Sequence, residues 1–139
     1  MLDTASFVTA VRSGHGAASE LVRMALAHEI VTLMDHKLAL EYREVALRPE
    51  HVSASALSGE EIGRLIDLME RAAEGVTVVN QPRPLSTDPS DDMILDVAIN
   101  GKADAIVTNN AKHFRSAAER FRIRVLSPSE LLELWRKGR

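Results

Sequence analysis

Most of the chemistry open to this chain would come from its carboxylates. Four aspartates fall in the stretch Asp88-Pro89-Ser90-Asp91-Asp92-Met93-Ile94-Leu95-Asp96. Asp88 is a good helix N-cap, Pro89 suits the first helical position, and Asp91 lies three residues past the cap, so capping accounts for Asp88 and Asp91. Capping explains Asp92 less well, because two better-placed acids already serve that helix start. Asp92 and Asp96 are four apart and share one helix face. Like charges packed there repel one another unless a cation neutralises them. Asp3 is a further candidate, at the end of a short apolar start. Glu41 is another, beside Leu38, Leu40 and Val45, although alone it also reads as an exposed acid on the far side of its helix. The chain has no cysteine, so a disulfide or thiolate site is impossible. Clustered carboxylates with no thiolate point to a hard cation, Mg²⁺ or Mn²⁺.

Other catalytic types are poorly supported. The five histidines are His15, His28, His36, His51 and His113, and none forms an H-x-x-x-H or H-E-x-x-H pair. Four of them read as surface or capping residues, and His113, beside the polar run Thr108-Asn109-Asn110, is the candidate among them for lining a site, with a surface role as the alternative. There is no G-x-S-x-G elbow for a serine nucleophile. Gly14-His15-Gly16 lacks the remaining glycines and the lysine of a phosphate-cradling loop, so ATP or NAD binding has no support.

The elements that must position these acids alternate between strand and helix. Met1 to Thr4 reads as the end of a strand. Helices are expected over 6–12 and 17–28, with the break at Ser13-Gly14-His15-Gly16 between them. A β-branched run over 30–34 reads as a buried strand. Asp35 caps a helix to about Leu47, which Arg48-Pro49 ends. A weak helical pattern covers 51–57. Ser58-Gly59-Glu60-Glu61 is a capping box, with Leu57 and Ile62 placed as a staple, and its helix runs to about Glu74, where Gly75 stops it. A strand is expected over 76–79 and a loop over 80–87. The acidic helix follows, ended by Asn100-Gly101, with Met93, Ile94, Val97 and Ala98 on its apolar face. Ala105-Ile106-Val107 is a short strand, residues 108–114 a polar turn leading to a helix ending near Phe121, and 122–126 a last strand. Ser127-Pro128-Ser129-Glu130 caps a final helix carrying Leu131, Leu132, Leu134 and Trp135. This order predicts an α/β fold with a mostly parallel central sheet flanked by helices, and sites in such sheets lie at the C-terminal ends of strands.

The chain of 139 residues suffices for one domain with a real core, expected to span 1–139. No apolar run approaches the roughly 18 residues that span a membrane, and the start has no signal-peptide pattern. A reducing, cytoplasmic setting is compatible with the absence of cysteine. The net charge of −3 argues mildly against non-specific nucleic-acid binding. The charge is uneven, however: residues 112–139 hold eight Lys/Arg against three Asp/Glu, and residues 1–111 hold nine against seventeen. That reads either as a phosphate-binding flank beside a metal site or as solvated helix faces.

Taken together, the pieces resemble the PIN-domain ribonucleases, in particular the toxin components of toxin–antitoxin systems related to VapC. The resemblance covers nearly the whole chain. It rests on Leu2-Asp3-Thr4, on Leu40 to Val45 with Arg48-Pro49, on Asp88-Pro89-Ser90-Asp91-Asp92, on Ala103 to Thr108, on His113-Phe114 and on Val125 to Pro128. It implies a divalent-metal-dependent endoribonuclease with Asp3, Glu41 and Asp92 as the acidic, metal-holding triad and Mg²⁺ or Mn²⁺ as cofactor. Thr4 resembles a small polar position next to the first acid. The family's fourth acid falls on Asn110 or His113, neither of them acidic, and the family's next Asn is Ala5 here. Lys112 and Arg115 are expected to hold RNA phosphates. The partners implied are an RNA substrate, a cognate antitoxin and a second copy of the chain. The first strand is unusually short, with only Met1 and Leu2 before Asp3, which predicts lost ladder hydrogen bonds and low stability without a partner. Two rival readings are a PIN scaffold that binds RNA or an antitoxin without useful catalysis, and a DNA-directed or structure-specific nuclease.

Overall fold

Side-chain caps start five of the helices. Asp3 caps α1 (Thr4–Arg12), Asp35 caps α3 (His36–Ala46), Ser58 caps α5 (Gly59–Ala72), Asp88 caps α6 (Pro89–Asn100), and Ser127 caps α8 (Pro128–Lys137). Each cap oxygen accepts an otherwise orphaned amide of the first turn, and Ser58 and Ser127 form full capping boxes with Glu61 and Glu130. The computed structural model that shows this describes residues 1–83 and 88–138. Its remaining helices are α2 (Ala17–Leu26), α4 (Pro49–Ala54) and α7 (Ala111–Phe121). The strands are short: β1 (Leu33–Met34), β2 (Glu74–Gly75), β3 (Ala105–Val107) and β4 (Arg124–Leu126). Among the described residues they form two parallel pairs, β1 with β2 and β3 with β4.

The α/β class and the parallel pairing are as expected, and several boundaries are not. The start of the chain is a single parallel bridge from Leu2 to Val107, and Asp3 goes straight into α1 as its cap, so that helix begins at Thr4 rather than Ser6. The helix expected to reach His28 ends at Leu26, because His28 turns left-handed (φ 59°) and the amides of His28 and Glu29 reach back to Ala25 and Met24. That turn uses up the front of the expected 30–34 strand, leaving Leu33–Met34. The strand expected over 76–79 is replaced by β2 at 74–75. There Glu74 and Val76 donate to Thr32 and Met34, while the Val79 amide donates to the Asn100 side chain instead of a neighbouring strand. The polar turn expected to run to Phe114 stops at Asn110, and Lys112, His113 and Arg115 are helical. Arg122 is left-handed (φ 56°), so the last strand starts at Arg124. Residues 84–87 of the loop expected over 80–87 lie outside the described residues.

One apolar cluster runs from Met1 to Leu132 and includes Phe114, Ala117, Ala118 and Ile123, so α7 and α8 share the core of the earlier elements. Phe7 of α1 stacks on Tyr42 of α3 with ring centroids 4.5 Å apart, and both rings are buried. Such a pair contributes about 1 kcal/mol beyond its buried area. It holds α1, and hence its cap Asp3, against the helix that carries Glu41. Of the apolar residues on α8, Leu131 and Trp135 pack partly on the core, and Leu134 is exposed.

Candidate functional site

The end of β3 and the start of α1 meet at Asp3. Asp3 is buried, and each carboxylate oxygen has a donor: Oδ1 accepts from the Ser6 amide at 2.9 Å and Oδ2 from the Thr108 hydroxyl at 2.6 Å. The Thr108 hydroxyl in turn accepts from the Asn110 amide at 2.9 Å. Asp3 thus serves as helix cap, as acceptor for the residue that follows β3, and as a local negative charge. Tyr42 registers that charge. Its hydroxyl donates to the Leu2 carbonyl, and burial first, then Asp3, pushes its pKa above the ordinary phenol range. Thr4, singled out in the sequence, opens α1 and does not bond Asp3. Ser6 and Thr108 take that role.

A second group forms on the first half of α6. Asp88 accepts from the Ser90 amide as cap, and Asp91 pairs with His113 Nδ1 at 3.5 Å. Asp96 is gripped bidentately by Arg83, and Arg83 Nε stands 3.9 Å from Asp92 Oδ2. The other oxygen, Asp92 Oδ1, is buried with no hydrogen-bond partner among the described residues. A buried carboxylate oxygen without a partner is costly, so a cation that reached it would be favoured.

The remaining candidates are placed as follows. Glu41 is half-buried on α3, which packs against both α1 and α6, and it has no polar partner among the described residues. Asn110 is the residue before α7, and its side chain makes no capping bond. Lys112 and Arg115 are exposed on α7. The donor set fits a hard cation: carboxylate oxygens, one of them unpartnered, and the side-chain carbonyl of Asn110. Among the described residues no three His, Cys, Asp or Glu side chains lie close enough together to hold one ion. The structure therefore joins Asp3 to Thr108 and Asn110, and Asp92 to Asp96 and Arg83, without drawing Asp3, Glu41 and Asp92 into one cage.

Sequence reasoning missed Arg83, Tyr42 and the bonding role of Thr108. The only signal for Arg83 was a lone cation between Pro82 and Pro84, just ahead of an acidic run. No helix among the described residues is long and apolar enough to cross a membrane. A family model described as a PIN domain matches residues 1–112. No curated protein and no solved structure matches.

Proposed function

This chain belongs to the PIN-domain family, and from that premise we propose that it is a divalent-metal-dependent endoribonuclease, the toxin of a toxin–antitoxin pair. PIN domains generally hydrolyse nucleic acids. The observation that carries the reading to this chain is Oδ1 of Asp92, buried and without a hydrogen-bond partner among the described residues, beside three other aspartates in the sequence. Asp92 and Asp3 would hold Mg²⁺ or Mn²⁺, with Glu41 completing the acidic set. A cation there supplies Lewis acidity to the phosphodiester and to the attacking water.

The chain's own residues do the rest. Ser6 and Thr108 fix the Asp3 carboxylate in one orientation, and each oxygen keeps acceptor capacity that those bonds do not use. Asn110, tied through its amide to Thr108, keeps its side-chain amide available to orient a water. Glu41, uncommitted on α3, is the acid able to accept a proton from that water. The antitoxin partner, the homodimer and the cytoplasmic setting belong to the same proposal and rest on the family resemblance.

The test is cleavage of total cellular RNA by the purified protein with Mn²⁺, beside Asp92→Asn and an EDTA control. Cleavage that is abolished by EDTA and reduced at least a hundredfold in a folded Asp92→Asn protein is the expected result. Equal inertness of two folded proteins would instead favour a second reading, a PIN scaffold that binds RNA or an antitoxin without catalysis. The observation behind that second reading is the lack of a three-acid group among the described residues. A panel of single-stranded RNA, transfer RNA and flap DNA separates either from a DNA-directed nuclease.

A further inference from the structure

Arg83 is held more firmly than an ordinary surface arginine. Its Nη1 donates to Asp96 Oδ1 and its Nη2 to Asp96 Oδ2, each at 3.0 Å, and Nη1 also donates to the Pro82 carbonyl at 2.9 Å. Asp96 is only 7% exposed, so the guanidinium is gripped from inside the fold. An ion pair between two exposed side chains contributes little because both ends move. Here one end is fixed. The segment around Arg83 is fixed as well, since the amides of Val79 and Asn80 donate to Asn100 Oδ1, and Asn100 Nδ2 returns a bond to the Asn80 carbonyl.

A guanidinium carries five N–H donors. The three bonds above engage both Nη1 hydrogens and one on Nη2. The hydrogens left over, on Nε and Nη2, lie parallel along one edge of the plane. Among the described residues neither has a hydrogen-bond acceptor. Asp92 Oδ2, 3.9 Å from Nε, is beyond hydrogen-bonding distance. The Arg83 side chain is 43% exposed, so solvent reaches it.

The geometry points to Arg83 as the residue that grips a substrate phosphate beside Asp92, through Nε and Nη2, with Asp96 as the positioning residue that aims it. This rests on the nuclease reading above. Two parallel N–H donors match two oxygens of a phosphodiester, a fit that a lysine cannot reproduce. The acids of α6 repel a polyanion, and Arg83 is a fixed positive charge among them. A phosphate on that edge would sit within reach of Asp92, where the bond is to be broken.

The test is binding of a short fluorescein-labelled single-stranded RNA by anisotropy, with Ca²⁺ present and the RNA checked for integrity, over a range of salt. Arg83→Gln should weaken binding about tenfold and flatten the salt dependence by about 0.7 in log–log slope, one phosphate's share for a single strand. Arg83→Lys should keep the slope and lose part of the affinity. Asp96→Asn should weaken binding less than Arg83→Gln. Arg71→Gln, an exposed charge on α5, should change neither quantity. Unchanged affinity and slope in Arg83→Gln, with wild-type binding intact, overturns the proposal and leaves the nuclease reading standing. An equal loss in Arg71→Gln overturns it too, by showing a general charge effect. If wild type binds no RNA, the nuclease reading falls and this proposal falls with it.

Discussion

Asp3 illustrates how one side chain can answer to two elements at once. Its two oxygens tie the start of α1 to the residue after β3. Thr108→Val would keep the shape and remove the hydroxyl, leaving Asp3 Oδ2 buried without a donor. We expect a loss of about 2 kcal/mol in denaturant unfolding, the usual scale for a hydrogen bond to a charged group, while Thr108→Ser should stay near wild type. Equal stability of the valine and serine variants would mean that this bond holds nothing in place. Asp92 stood out in the sequence because local capping left it over, and among the described residues one of its oxygens has no partner. Arg83 was not legible, because its partner Asp96 lies thirteen residues on and nothing local marks the pairing. Tyr42 was hidden for the same reason, since its hydroxyl serves a carbonyl forty residues away.

Among the elements, the helix starts at Asp35, Ser58, Asp88 and Ser127 were readable, and α1, α3, α6 and α7 end within a residue of where they were expected. By contrast, α1 and α7 begin earlier than expected, and α2 and α5 end two residues early. A cap and its target amides sit within three residues, so Asp35, Ser58, Asp88 and Ser127 announce themselves. The turns at His28, Lys102 and Arg122 use left-handed residues that are not glycine. Gly101 shows the difference. With Asn100 it was expected to stop α6, and the helix does end there; its own φ is −86°, and Lys102 makes the left-handed turn. Gly101 matters for space instead. A Cβ there would meet Leu33 Cδ1 and Val76 Cγ2 at 2.8 Å and the Val97 carbonyl oxygen at 2.9 Å. The side chains could shift, but the helix's own carbonyl cannot. Gly101→Ala should therefore cost about 1–3 kcal/mol despite alanine's better helix propensity, measured by urea unfolding. A stabilised alanine variant would contradict the crowding argument. Strands were the least legible elements, because pairs of two or three residues are set by which backbone lies alongside, not by any run of β-branched side chains.

At the scale of the molecule, the first three residues stitch the fold. Met1 and Asp3 exchange backbone bonds with Val107, at 2.7 and 3.1 Å, and Leu2 is buried between them. Leu2→Ala should destabilise the whole protein by about 2–4 kcal/mol, the scale for a buried leucine, and should speed hydrogen exchange at the Asp3 amide. A variant that unfolds at the wild-type denaturant midpoint would show that the bridge is ornamental to stability. Both the α/β class and the parallel pairing followed from the order of apolar runs, whereas the division into two strand pairs depended on distant partners. The same stitch has a temporal side. Asp3 and Thr108 are 105 positions apart in the chain. A ribosome adds roughly 5–20 residues per second, so the first acid of the proposed site leaves the exit tunnel seconds before the residue that orients it. Contacts this distant also form late in folding. The nascent chain therefore carries Asp3 without a formed site, and an RNA-cleaving centre would arise only after most of the protein had emerged from the machinery it could damage.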